Sequence, residues 1–417
     1  MSRIVLATWG SYGDLFPYLG VAHQLKSMGH TPVVATCPFY RELVEGEGLL
    51  FKPVRPDVQP NETDLLERVM DPRRGSEIVV RELTAPAVRD AYADILDAAQ
   101  GADLIVSHPI TFAAPFVAGT MKLPWLSSVL SPMSFFSPHD FPVLPNLPAA
   151  VHLRNLGPWT GRLLMKLARR ITSSWVAPVE EFRKELGLPF RGDPLYEGQF
   201  SPHGTLAMFS PVLGPPQRDW PTRTEATGFS FFNRAIPMPP ALAAFLDAGD
   251  PPIVFTLGTS AVSAAGSFYE ESVTAVIALK RRAVLLVGRD PRNLPKRALP
   301  DSIIAIDSAP HDQLFPAAAA IVHQGGVGTT GQALRSGRPT LVVPHAHDQP
   351  DNAFRVANLG VGRVLYPVQY RAPRVEAHLD ALIKDARYAE HASGIASRIH
   401  REDGASRAAA VIIAAAQ

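Results

Sequence analysis

The feature that most limits how this chain can fold is a unit that occurs twice: an apolar strand, a glycine-containing turn and a helix. The first copy is "IVLATWGSYGDLFPYLG", residues 4 to 20. Ile4-Val5-Leu6-Ala7 reads as a buried strand, and Leu15, Leu19, Ala22, Leu25 and Met28 follow at a helical spacing that Gly29 closes. The second copy opens at "PPIVFTLGTS", residues 251 to 260. Further buried-strand patterns occur at 31–36, 102–108 and 124–132, then at 283–287, 303–306, 320–322 and 340–343. Strands alternating with helices predict α/β architecture with parallel sheets covered on both faces. The repeat therefore predicts two Rossmann-like, doubly wound domains of similar size facing each other across a cleft.

The boundaries follow from composition. Residues 1–215 form the first domain, and the proline-dense 216–240 ("PQRDWPTRTEATGFSFFNRAIPMPP") reads as the linker. Residues 241–395 form the second domain, and 396–417 a terminal helix packing back toward the first. At 417 residues the chain exceeds one ordinary core, and 46% hydrophobic against 19% charged residues makes it globular. A formal net charge of +1, with basic residues dispersed, gives no electrostatic reason to expect nucleic acid or an anionic membrane. The runs Arg73-Arg74, Arg169-Arg170 and Lys280-Arg281-Arg282 read as solvated ends. Cys37 is the only cysteine, which excludes an intramolecular disulfide framework and suits a reducing compartment. No apolar run approaches the ~20 residues of a bilayer span, and the chain begins directly with a strand. A cytoplasmic protein with no stable membrane insertion is expected.

Two stretches carry chemistry. "TWGSYGDLFP" places Asp14 at or near a helix start, where it either caps the helix or points into a cleft beyond a strand's carboxyl end. "IVHQGGVGTTGQALRSGRPTLVVPHAHDQPDN", residues 321 to 352, runs a strand into His323 and then a turn with Gly325, Gly326 and Gly328. Such a turn exposes backbone N–H groups at a helix N-terminus, where the dipole favours phosphate, and Thr329 and Thr330 add hydroxyl donors. It lacks the Gly-Lys-Ser/Thr ending of a Walker loop and the spacing of a dinucleotide fingerprint. Asp348 precedes a helix over 349–359, so capping is an alternative role for it. The aromatics Phe112, Phe116, Trp125, Phe135, Phe136 and Phe141 suit either a pocket wall or a core.

In their order, these elements resemble the UDP-glycosyltransferase superfamily, the family 1 glycosyltransferases of GT-B fold. The similar segments are "GSYGDLFPYLG", "PPQRDWP", "LVVPHAHDQPDNAFRVANLGVGRVL" and the His-x-Gly-Gly box. Among subgroups, the chain is most similar to bacterial rhamnosyltransferases and to macrolide, glycopeptide and sterol glycosyltransferases. The resemblance implies that His323, Gln324, Gly325, Gly326, Gly328, Thr329 and Thr330, with Thr259 and Ser260, hold the donor diphosphate. It implies that Asp348 and Gln349 bond the donor sugar, and that Ser308, Ala309, Pro310, His311 and Gln332 border base and ribose. Asp14 matches the general base of the glycopeptide-type members. Ser11, Tyr12, Phe112, Phe135 and Phe136 would line the acceptor site.

Plant members carry a tryptophan where this chain has Ser308, and a ribose-binding glutamate where it has Gln332. A neutral amide bonds ribose hydroxyls more weakly than a carboxylate, which leaves UDP and dTDP donors undivided. The expected reaction is inverting, metal-independent transfer of a hexose from a UDP- or dTDP-sugar, such as UDP-glucose or dTDP-rhamnose. The acceptor would be a hydrophobic hydroxylated molecule: a polyphenol, polyketide, sterol or hydroxy-fatty acid. No cofactor is expected, and no Asp-x-Asp metal motif occurs. A catalytically silent accessory protein and a sugar-nucleotide epimerase of the same fold are the alternatives.

Overall fold

A computed structural model describes residues 1–59, 62–145, 147–234 and 236–417. Seven parallel strands build the first lobe: β1 (Arg3–Ala7), β2 (Thr31–Thr36), β3 (Leu50–Pro53), β4 (Leu104–Ser107), β5 (Trp125–Val129), β6 (Thr205–Ala207) and β7 (Thr224–Ala226). Their order is β3-β2-β1-β4-β5-β6-β7. The second lobe has six: β8 (Ile253–Thr256), β9 (Ala283–Leu286), β10 (Ile303–Ile306), β11 (Ala320–His323), β12 (Thr340–Val342) and β13 (Gly362–Val364). These run β10-β9-β8-β11-β12-β13, again all parallel. Both central strands read as unbroken apolar runs because helices cover both sheet faces. Ile4 to Ala7 and Ile253 to Phe255 are fully buried.

The direction of strand addition reverses between β1 and β4 in one sheet and between β8 and β11 in the other. Open α/β sheets leave a crevice at that point, beyond the strands' carboxyl ends. Four segments emerge there: residues 8–14 after β1, His108 after β4, Gly258 after β8 and residues 324–328 after β11. The helices that flank this crevice or join the lobes are α1 (Tyr12–Ser27), α2 (Thr63–Val69), α3 (Ala114–Met121), α4 (Pro158–Thr172), α5 (Ala177–Glu185), α6 (Val327–Ser336), α7 (Gln349–Asn358), α8 (Ala386–Ile399) and α9 (Gly404–Ala415).

The stretch 216–240 is not linker throughout. Thr224–Ala226 forms β7, whose three residues pair with Thr205–Ala207. Its flanking prolines conceal it, and an edge strand tolerates them because one row of its N–H groups needs no ladder partner. The crossing to the second lobe follows Gly228; Ala235, inside the same stretch, lies outside the described residues. The chain returns after α8, which packs on α6, and α9 then packs on α1. Ala408, Ala409 and Ile412 of α9 are fully buried in the same cluster as Leu15, Leu19 and Ala22. The outgoing and returning strands of chain touch: a Cβ placed on Gly228 would lie 2.9 Å from Glu402 Oε2, and one on Gly404 2.4 Å from the Phe229 carbonyl. Glu402 also accepts the Ser210 hydroxyl at 2.6 Å.

Candidate functional site

Asp14 does not cap α1. Ser11 holds that position, its hydroxyl accepting the Gly13 N–H at 3.2 Å, and Asp14 is the third helical residue of a capping box. One carboxylate oxygen, Oδ2, accepts the Ser11 N–H at 2.7 Å and the Ser11 hydroxyl at 3.0 Å. Such reciprocal bonding fixes the side chain as well as the helix start. The turn has to be glycine at position 10: its φ is +140° and a Cβ there would lie 2.3 Å from Asp14 Oδ2. Tyr40 pins the same residue by donating to the Gly10 carbonyl at 2.9 Å.

The other oxygen, Oδ1, faces His108 Nε2 at 3.8 Å. His108 follows β4, so the pair straddles the crevice of the first sheet. Burial pulls the His108 pKa below its ordinary value, and the Asp14 charge opposes this. Its Nδ1 is buried without a hydrogen-bond partner among the described residues. Sequence reading missed His108, although it ends "ADLIVSH" as the polar residue closing a buried strand, the same signature that singled out Asp14.

In the second lobe, His323 ends β11 and is fully buried. Its Nδ1 accepts the Gly325 N–H at 3.1 Å, which places the ring proton on Nε2, and Nε2 has no partner among the described residues. Burial, with His311 adding, holds its pKa down at about 3, so the ring is a neutral donor. Gly325 (φ +90°) is a second obligatory glycine, because a Cβ would meet Val342 Cγ1 at 2.8 Å and the Gln349 carbonyl at 3.0 Å. Gly326 caps α6 and offers no side-chain acceptor, leaving first-turn N–H groups without a side-chain cap among the described residues. Thr330 Oγ1 is likewise buried and unpartnered among the described residues, and Thr329 Oγ1 receives only a 3.4 Å contact from Gln324 Nε2. Gln324 is wedged between Gly258 and Gly326, where added Cβ atoms would lie 2.3 and 3.0 Å from its Nε2. Thr259 and Ser260 form the single helical turn after Gly258, against which α2 of the first lobe packs.

The lobes meet at these turns. A Cβ on Gly328 would lie 3.5 Å from the Gly13 Cα, so the start of α6 abuts the start of α1 one residue from Asp14. His347 (φ +56°) reaches across to Ser76 Oγ at 3.2 Å. Asp348 precedes α7 but makes no capping bond; its Oδ2 accepts the Asn352 side-chain N–H at 2.8 Å. Burial pushes its pKa up to about 7, and Asp14 pushes in the same direction. Gln349 uses its side-chain carbonyl on the His345 and Ala346 N–H groups, at 2.8 and 3.2 Å, closing the turn.

The interface below is ionic, with one acid and one arginine from each lobe. Arg355 contacts Asp140 and Asp351 at 2.7 Å each, and Arg154 contacts the same two carboxylates at 3.2 Å each. Asp351 is fully buried and also accepts the Val143 N–H at 2.9 Å. Nothing in the sequence linked these four residues, whose pairing depends wholly on the lobes' arrangement.

The remaining expected positions divide. Ser308 is exposed, while Ala309, Pro310 and His311 are half-buried; His311 stacks on Phe315 at 4.4 Å, close to His323. Gln332 donates to Asn233 Oδ1 at 3.2 Å, tying α6 to the crossing segment. Phe112 and His108 line a cavity of about 290 Å³ that is walled by α3, α5 and residues 188–199. Phe135 is not an acceptor wall. It is a core residue stacked on Trp220 at 4.0 Å and Phe200 at 5.7 Å. Phe136 packs on Tyr196 at 5.0 Å and is not among the residues that line the cavity. Ser11 is consumed by the capping box, and Tyr12 packs on Tyr40 at the lobe boundary within the field of Arg289. Aromatic composition could not separate pocket from core, because both bury the same rings.

Residues 273–412 match the model of the erythromycin biosynthesis protein CIII-like C-terminal domain. The O-mycaminosyltylonolide 6-deoxyallosyltransferase of Streptomyces fradiae is 32% identical over 98% of this chain and 96% of its own. The sterol 3-beta-glucosyltransferase of Leptosphaeria maculans is 30% identical over 86% of this chain, which spans about a quarter of that longer protein (25%). Among solved structures, the kitacinnamycin glycosyltransferase superposes with a TM-score of 0.70 at 22% identity, covering 99% of this chain and 98% of its own. The glycosyltransferase VinC, solved in complex with dTDP, gives 0.68 at 20% identity with 99% of both chains covered.

Proposed function

This chain belongs to the glycosyltransferases of GT-B fold that include the macrolide sugar transferases, and from that membership we propose that it moves a hexose from a nucleoside-diphosphate sugar to a hydroxyl of a hydrophobic small molecule. The observation that carries the reading is the meeting of the uncapped start of α6 with the start of α1, one residue from a carboxylate held in place by its own turn.

In this reading the acceptor enters the cavity behind His108 and presents its hydroxyl to Asp14 Oδ1. Asp14 takes the proton as the acceptor oxygen attacks the anomeric carbon, and His108 orients the carboxylate. Attack from the first-lobe side on a sugar whose diphosphate lies on the second-lobe side inverts the anomeric centre. Charge building on the leaving diphosphate falls on the free N–H groups of α6, on His323 Nε2–H and on the threonine hydroxyls, dipoles already fixed before the reaction. Asp348 and the amide nitrogen of Gln349 bond the sugar hydroxyls. With the countercharge supplied this way, the reading contains no metal ion. UDP and dTDP remain alternative donors, since Gln332 offers only a neutral amide.

The test is transfer by the purified chain from UDP-glucose and from dTDP-rhamnose to a panel of macrolide aglycones, sterols and phenols, read by mass spectrometry with and without excess EDTA. Glycosylated product in both conditions is the expected result. Activity lost in EDTA and restored by magnesium overturns the metal-free account, and conversion of neither donor by any route overturns the transferase reading.

A further inference from the structure

The face of α4 turned to solvent is apolar. Trp159, Leu163, Leu167 and Ile171, four residues apart along the helix, are 59%, 60%, 55% and 58% exposed. That spacing makes one stripe about 18 Å long. Leu147, Leu153 and Leu156 extend it, being 49%, 38% and 56% exposed. The opposite face is occupied: Gly161 lies against Pro138, and Met165 is buried with Phe141 and Tyr196.

Arg162, Lys166 and Arg170 each precede a stripe residue and form a parallel row along its flank, all exposed. None makes an ion pair or side-chain hydrogen bond among the described residues, whereas neighbouring Arg169 folds back onto Glu197 and over the Tyr196 ring. The 39 residues from Phe141 to Val179 contain no Asp or Glu, but five Arg or Lys, in a chain whose formal net charge is only +1. Of those five, Arg154 is spent on Asp140 and Asp351 and Arg169 on Glu197, which leaves Arg162, Lys166 and Arg170 as the free cations beside the stripe among the described residues. A row of free cations beside a flat apolar stripe, with a tryptophan at one end, is complementary to a surface whose charge is negative and whose interior is hydrocarbon.

We propose that α4 docks in the plane of an anionic lipid bilayer, with its apolar stripe in the acyl boundary and Arg162, Lys166 and Arg170 among the headgroups. No helix among the described residues is long and apolar enough to cross a membrane, so this contact is peripheral. Docking places the cavity behind His108 one layer above the lipid, because Tyr196, against which α4 packs, adjoins the wall formed by Pro194, Gly198 and Gln199. The helix takes no part in the proposed chemistry.

The full chain is floated with vesicles of phosphatidylcholine alone and with about 30% phosphatidylglycerol, at low and high salt. Binding confined to the anionic vesicles and weakened by salt is expected. The Arg162→Glu/Lys166→Glu/Arg170→Glu variant should lower partitioning at least ~10²-fold. Leu163→Ser/Leu167→Ser should abolish it at either salt concentration. Melting curves and transfer to a water-soluble acceptor should match the parent in both variants, which separates failure of docking from failure of the transferase reading. A chain that stays with the soluble fraction, variants that float like the parent, or a dimer dissolved by the same serine substitutions would each overturn the proposal; the last would assign the face to a second copy.

Discussion

Helices α1 and α6 begin alike and end their first turns differently. Each follows a central parallel strand through a glycine turn, and the two starts touch. At α1 the chain supplies its own anion: Ser11 and Asp14 satisfy the turn's N–H groups reciprocally. At α6 the cap is Gly326, and no side chain among the described residues caps the corresponding groups. A glycine cap in place of serine or aspartate costs only a few tenths of a kcal/mol. One backbone design thus presents a negative group from one lobe and a positive pole from the other, and the difference lies in which residue occupies the cap.

The sharpest way to break this comparison is Asp14→Asn, which keeps much of the capping geometry but removes the base. Turnover should fall ~10²-fold or more while UDP and dTDP affinities hold; unchanged turnover would leave Asp14 a capping residue only. Next comes Gly326→Asp, which makes α6 resemble α1. The Gly326 backbone (φ −58°, ψ 143°) already suits an acidic cap. Calorimetry should find diphosphate binding at least ~10-fold weaker, with Gln324, whose Nε2 lies 3.0 Å from the added Cβ, shifting to make room. Equal or tighter binding would remove the helix start from the phosphate site.

His108→Gln should lower turnover about tenfold, leave donor KM unaltered and shift the pH–rate profile, because it removes the imidazole that faces Asp14 Oδ1 at 3.8 Å. A flat response in both readouts would reduce His108 to packing. The smallest effect concerns Asp348. Its pKa is raised to about 7, so the stability it contributes is present below the unfolded value near 4 and is lost as pH rises through about 7. Asp348→Asn should therefore melt roughly 2–5 °C above the parent at pH 8 and gain nothing at pH 4. A gain of equal size at both values would mean that the carboxyl is ionised throughout.

What was legible in the sequence divides along the same line. Strand–turn–helix order is local, so the two sheets, their central strands and the glycine turns after β1 and β11 could be read from apolar periodicity and glycine placement. Gly10 and Gly325 are the clearest instances, since each is required by a clash that any Cβ would create. The turn that carries Asp14 was legible but its local job was not, because a cap and a third helical residue differ only by which atoms pair. Phe135 was misplaced because stacking on Trp220 is a long-range event that composition does not record. The ion cluster of Asp140, Arg154, Asp351 and Arg355 was invisible for the same reason. Net charge does not record such local composition: an average of +1 covers a segment around α4 with no acidic residue at all.

The contact between Gly228 and Glu402, and between Phe229 and Gly404, has a mechanical meaning. Two covalent connections laid side by side constrain the lobes more than one would, holding the start of α1 and the start of α6 in one register against twisting or sliding.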